Sequence, residues 1–156
     1  MPTMTHVLAA VDLSTAAPMV IAYAHQMAEH WQARFTVLHV VHDLSYYSGA
    51  FLTDQPLSTL QHDLEVEASE HLEAICEDVC GSTTAYEVLV LTGRPGPEIQ
   101  RVIRERDIDC LVIGAHSEDK PEHQLFGSTA ERLLHQMLCP TLVVPPHRSV
   151  DFVSKG

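Results

Sequence analysis

Five short apolar runs alternate with four segments of helical periodicity, and this alternation limits the fold more than any other feature of the chain. The runs are Thr5–Asp12, Arg34–Val41, Thr84–Leu91, Asp109–Ile113 and Thr141–Val144. They are nearly continuous in apolar residues rather than alternating with polar ones. Such strands belong in a sheet covered on both faces, built from parallel strands joined by helical crossovers. The order βαβαβαβαβ predicts a single α/β domain, a Rossmann-like doubly wound sheet of five parallel strands with four helices, in strand order 3-2-1-4-5. Ligands of such sheets bind beyond the carboxyl ends of the strands, where the winding reverses.

Between the strands, Val20, Ile21, Ala24, Met27, Ala28 and Trp31 mark one apolar helical face, with Ser14 or Thr15 as the cap. A polar-aromatic loop from His42 to Pro56 is followed by a long helix. Ser58 is its expected cap, and Leu60, Leu64, Ala68, His71, Leu72 and Ile75 its buried stripe. Glu65, Glu67, Glu70, Glu73 and Glu77 read as its solvated face, and Gly81 as its stop. A turn at Gly93-Arg94-Pro95-Gly96-Pro97 opens the third helix, where Pro97 is tolerated in the first turn. The last helix runs from Gly127 and ends before Pro140. The domain is expected to span 1–147, with 148–156 a frayed, flexible tail.

Charge excludes some partners. The chain has 9 Lys+Arg against 21 Asp+Glu, a net −12, so a polyphosphate backbone such as DNA or RNA is not an expected partner. No run is long enough to cross a bilayer, and no secretory leader is recognisable, which predicts a cytoplasmic protein with no membrane partner. Cys76, Cys80, Cys110 and Cys139 form no CxxC pair and read as small apolar fillers. The 11 histidines fall into neither HExxH nor a zinc spacing, so no metal site is expected.

Chemistry concentrates around the fourth strand. Val112-Ile113-Gly114-Ala115-His116-Ser117 ends an apolar run at a glycine, and Gly127-Ser128-Thr129 opens a helical pattern. Backbone N–H groups at such a helix start can hold phosphate. In a doubly wound sheet this loop can converge with Asp12 after strand one and Val40 in strand two. Asp12 would accept hydrogen bonds from ribose or adenine, and Val40 would receive a flat base. Arg94, His116 and Lys120 can add charge nearby. No Walker A lysine, GxGxxG or GxSxG motif is present, so no catalytic residue is assigned.

The pattern Gly114-x-x-Ser117, nine residues, Gly127-Ser128 resembles the G-x-x-G, nine residues, G-S/T signature of the universal stress protein family. Four further features fit: Ala10-Val11-Asp12, His39-Val40, Gly93-x-Pro95, and the closing Cys139-Pro140-Thr141-Leu142-Val143-Val144-Pro145. The resemblance runs from Thr5 to Pro145. It implies binding of AMP or ATP, the latter with Mg2+, and a homodimer through Thr141–Val144. Its nucleotide-binding positions map to Ala10, Val11, Asp12, Val40, Ile113, Gly114, His116, Ser117, Gly127, Ser128 and Thr129. Ser117 stands where the family has glycine. A positive φ there would make its Cβ costly, whereas an ordinary conformation would let its hydroxyl meet a phosphate. Three functions follow: a stress-response regulator acting through unidentified protein partners according to nucleotide occupancy, a slow ATP hydrolase or phosphotransferase, and an interaction module that binds no nucleotide.

Overall fold

The computed structural model describes residues 2–47, 56–82, 84–115 and 127–145. The expected tail, together with His116, Ser117 and Lys120, lies outside them. The elements follow in the order β1 (His6–Ala10), α1 (Ala17–Trp31), β2 (Arg34–His42), a 3-10 turn (Leu44–Tyr47), α2 (Leu57–Cys80), β3 (Glu87–Gly93), α3 (Pro95–Glu105), β4 (Cys110–Gly114), α4 (Ser128–His135) and β5 (Thr141–Val144). All ladders are parallel, and the sheet order is β3-β2-β1-β4-β5, as the alternation of runs predicts.

Period-two side-chain alternation divides the core into two halves. Val7 and Ala9 of β1, Phe35 and Val37 of β2, and Cys110 and Val112 of β4 meet α1 and α2. Leu8, Ala10, Leu38, Val40, Leu111 and Ile113 meet α3 and α4 on the opposite face. Every residue of β1 is buried, while β3 and β5 at the edges are only partly so. Ala10 sits between Leu38 and Ile113 in register. The chain winds from β1 out to β3 and then returns to β4, so the reversal falls between β1 and β4.

Several local expectations are corrected. Helix α1 begins at Ala17 with Ala16 as its cap residue, not Ser14 or Thr15. Ser14 N–H instead donates to Asp12 Oδ1 at 3.0 Å, and this turn places the helix start further on. Helix α2 begins directly after Pro56, whose fixed φ leads into it, so Ser58 falls inside the first turn. Trp31 is 48% exposed at the end of α1. His71 is exposed, and Cys76 and Cys80 continue the buried stripe beyond Leu72. Glu65 is half-buried and accepts a hydrogen bond from Thr92 Oγ1 at 2.5 Å, so it is not part of a purely solvated face. Strand β3 starts at Glu87 rather than Thr84 because its ladder follows β2 from Thr36 to His42. Gly81, with φ +74, closes α2 as expected. The four cysteines are free thiols. Burial pushes Cys76 up to about 12 and Cys80 and Cys139 up to about 11, as suits inert packing residues.

At the amino end of the sheet, Asp109 Oδ2 accepts bonds from Thr5 N–H, Thr5 Oγ1–H and His6 N–H, tying the start of β1 to β4. His6 is only 3% exposed. Its Nδ1–H donates to the Arg106 carbonyl (3.2 Å), which leaves Nε2 to accept from Thr36 Oγ1 (2.8 Å). The ring is therefore the neutral Nδ1–H tautomer. Burial, reinforced by the nearby Arg34 and Arg106 charges, holds its pKa below the ordinary histidine value. With the folded pKa depressed, the unfolded chain takes up the proton first. His6 thus contributes stability that is complete above about pH 6.5 and is lost as pH falls from there toward the lower folded value. The melting temperature should fall between pH 7 and pH 5, and His6→Gln should flatten that part of the profile. An unchanged profile in the variant would refute the assignment.

Candidate functional site

The carboxyl ends of β1, β2 and β4 open onto one crevice of about 910 Å³, within the size range of small-molecule sites. Ala10, Val11 and Asp12 line it after β1, Val40 on β2, Ile113 and Gly114 at the end of β4, and Gly127, Ser128 and Thr129 at the start of α4. Nine of the eleven positions marked in the sequence are thus brought together. The other two, His116 and Ser117, lie outside the described residues.

The β1 end is held from two sides. Val11 N–H donates to the Leu38 carbonyl (2.9 Å), and the Val11 carbonyl accepts from His39 Nδ1–H (2.8 Å). Both bonds tie the residue to β2 beyond the regular strand. His39 is half-buried, and desolvation pushes its pKa below the ordinary histidine value, although the Val11 bond and the Asp12 charge oppose this. The imidazole is therefore a neutral donor to a fixed carbonyl. The chain then turns sharply: Leu13 has φ +63, and Asp12 Oδ1 accepts the Ser14 N–H. A non-glycine residue in that region is a local strain held by its surroundings. The result presents the exposed Asp12 carboxylate at the crevice.

One side of the crevice is apolar. Ala10, Leu38, Val40, Ile99 and Ile113 form a wall continuous with one half of the core. A Cβ added to Gly114 would meet only Val20 Cγ2 at 3.5 Å, an ordinary contact. The protein's own packing does not require a glycine there, and the missing side chain leaves open volume.

The start of α4 brings donors to the crevice. Gly127 caps α4 in an extended conformation (φ −69, ψ 165) and supplies no side-chain cap. Among the described residues, no side chain caps the first-turn amides of Ser128, Thr129 and Ala130. Gly127 N–H donates to the Ala115 carbonyl (2.8 Å), and Ala115 N–H to the Val144 carbonyl (2.9 Å), which fixes this helix start against β5. The first turns of α1 and α3 reach the same crevice through Ala17 and through Pro95, Gly96 and Pro97. Arg94 and Arg132 line it as well, as do His42, Glu67 and His71.

Sequence reasoning marked Arg94 but missed Arg132, Gly96 and His71. Arg132 was findable: it lies four residues after Ser128 and so shares its helical face. His71 was assigned to the buried stripe instead. Among the described residues, no cluster of three or more His, Cys, Asp or Glu side chains could hold a metal ion, and no helix is long and apolar enough to cross a membrane.

Fold and crevice together define a doubly wound α/β protein whose site lies at the sheet's winding reversal. A model of the universal stress protein family matches residues 4–145. Universal stress protein A homolog 1 of Coxiella burnetii is 30% identical over 141 residues, covering 89% of this chain and 94% of the relative. Among solved structures, universal stress protein UspA from Lactobacillus plantarum matches with a TM-score of 0.75 and 26% identity, covering 92% of this chain and 99% of that one. The universal stress protein from Archaeoglobus fulgidus, in complex with dAMP, has a TM-score of 0.63 and 22% identity over 92% of this chain and 98% of its own. The chain belongs to the universal stress protein family.

His39→Phe keeps a ring at this position but removes the donor to Val11. The variant should be less stable by about 1–3 kcal/mol, read as a lower urea midpoint at unchanged m-value. A midpoint equal to the parent's would refute the clamp.

Proposed function

We propose that the crevice binds an adenine nucleotide, AMP or ATP, and that the protein acts in the stress response as a nucleotide-dependent interaction partner. One observation carries the reading. Four separate stretches, Ala10–Asp12, Val40, Ile113–Gly114 and Gly127–Thr129, line a single crevice that has an apolar wall and the amide donors of the α4 start. The division suits the three parts of a nucleotide. Val40 and the neighbouring apolar wall take the flat base. Asp12, with Val11 and the open space at Gly114, takes the ribose hydroxyls. Gly127, Ser128 and Thr129 take phosphate through backbone N–H groups and the Ser128 hydroxyl. His116 and Ser117 complete the set on family grounds. The Archaeoglobus structure supports the reading, since that protein is seen with dAMP. With ATP, Mg2+ would be carried mainly by phosphate oxygens, and among the described residues Asp12 and Glu67 are the carboxylates lining the same crevice.

The same reading includes a homodimer through β5. That strand pairs with β4 along one edge. Met137, Leu138 and Leu142, at and just before it, are 59%, 46% and 36% exposed. An apolar edge of this kind calls for a covering partner, and a second copy supplies it. The free thiols fit a reducing, cytoplasmic setting.

Mass spectrometry of ligand released from the purified, denatured protein is the direct test, with AMP or ATP the expected species. Added nucleotide should raise the melting temperature by mass action, corresponding to about 2.7 kcal/mol at a hundredfold excess over Kd. Asp12→Ala should reduce that shift. No released nucleotide together with no shift from AMP or ATP would overturn the proposal. Sedimentation at micromolar concentration should show a dimer, and a monomer would remove that part of the reading.

A further inference from the structure

Besides the amides of the α4 start, the crevice is lined by two arginines, Arg94 and Arg132. Helix α3 starts there with Arg94 at its cap position and Gly96 in its first turn. Arg132 of α4 lies across that turn. A Cβ built on Gly96 would fall 2.8 Å from Arg132 Cδ and 3.3 Å from its Nε. Gly96 is buried, and its missing side chain is what makes room for the arginine. A guanidinium against a helix N-terminus is unfavourable, because both are positive.

Glu98, in the first turn of α3, pairs with Arg101 at 2.5 Å, and Glu131, in the first turn of α4, is exposed with His135 3.8 Å away. Among the described residues, neither Arg94 nor Arg132 forms an ion pair. In a chain of net charge −12, two arginines, Arg94 and Arg132, line the same crevice. Among the described residues, Asp12 after β1 and Glu67 of α2 are the carboxylates that line it.

Resting on the nucleotide reading above, we infer that Arg132, seated on Gly96, holds the terminal phosphate of a nucleoside di- or triphosphate and makes the crevice select ADP or ATP over AMP. The amides of Ser128 and Thr129 hold the phosphate nearer the ribose. The planar guanidinium offers two parallel donors to the end of the chain, where charge is greatest. The unfavourable contact between arginine and helix start becomes favourable once an anion lies between them. Gly96 acts as a positioning residue, since it sets where the guanidinium sits.

Calorimetric titration of the full-length protein with AMP, ADP and ATP at one ionic strength tests this. Arg132→Gln should weaken ATP and ADP by about tenfold or more and leave AMP within about twofold. Arg132→Lys should recover only part of the loss, because a point charge lacks the fork. Gly96→Ala is the control against a merely structural role. Its backbone is helical and alanine is the better helix former, so its melting temperature should not fall while its ATP affinity does. An equal loss for all three nucleotides in Arg132→Gln, or no loss, would overturn the inference and leave the nucleotide reading standing. A parent protein that binds AMP as tightly as ATP would do the same. A parent protein that binds none of the three would overturn the nucleotide reading itself, and this inference with it.

Discussion

The complete burial of β1 is the constraint on which the rest of the structure depends. Its five residues are hydrogen-bonded on both edges, to β2 and β4, and covered on both faces by helices. A strand so placed can carry no unpaired polar group along its length. Its polarity must appear where it leaves the sheet, and it does so at Val11 and Asp12. At the other end the same need is met by Asp109 and by the paired ring of His6. The crevice therefore follows from how a fully enclosed central strand ends, and no separate loop architecture is required to make it.

The crevice gathers unlike surfaces: a carboxylate steadied by a turn after β1, an aliphatic wall, and the first turns of α1, α3 and α4 with Arg94 and Arg132. The protein is acidic overall, so the two arginines stand out against the field of the whole molecule. Local dipoles and a guanidinium seated on Gly96 are effective at short range, where the screened net charge counts for little. The arrangement suits an elongated ligand with a flat uncharged end and an anionic end.

The two-sided burial of the strands was legible because runs such as Val7 to Ala10 and Cys110 to Ile113 have no polar alternation. The strand order came with the Rossmann-like class and is not written in composition, since interior β2 carries Thr36 and His39. The joining of Asp12, Val40 and Gly127 could be read once the winding was known. What stayed hidden depended on contacts between elements. Trp31 continues the apolar stripe of α1 in sequence but falls beyond the helices that would cover it. His71 sits on the α2 stripe by spacing, yet α2 overhangs the crevice at that turn. Gly96 looked like turn punctuation, and its close contact with Arg132 involves two helices more than thirty residues apart.

The bond from Gly127 N–H to the Ala115 carbonyl brings together the two ends of the eleven-residue stretch 116–126. The separation of Ala115 and Gly127 is thus set by a hydrogen bond of their own. In general, doubling the length of a flexible connection costs only about 0.6 kcal/mol of closure entropy. Substitutions and length changes can therefore accumulate there while the sheet and its register persist. Ser117, which stands where the universal stress protein signature has glycine, lies in this stretch.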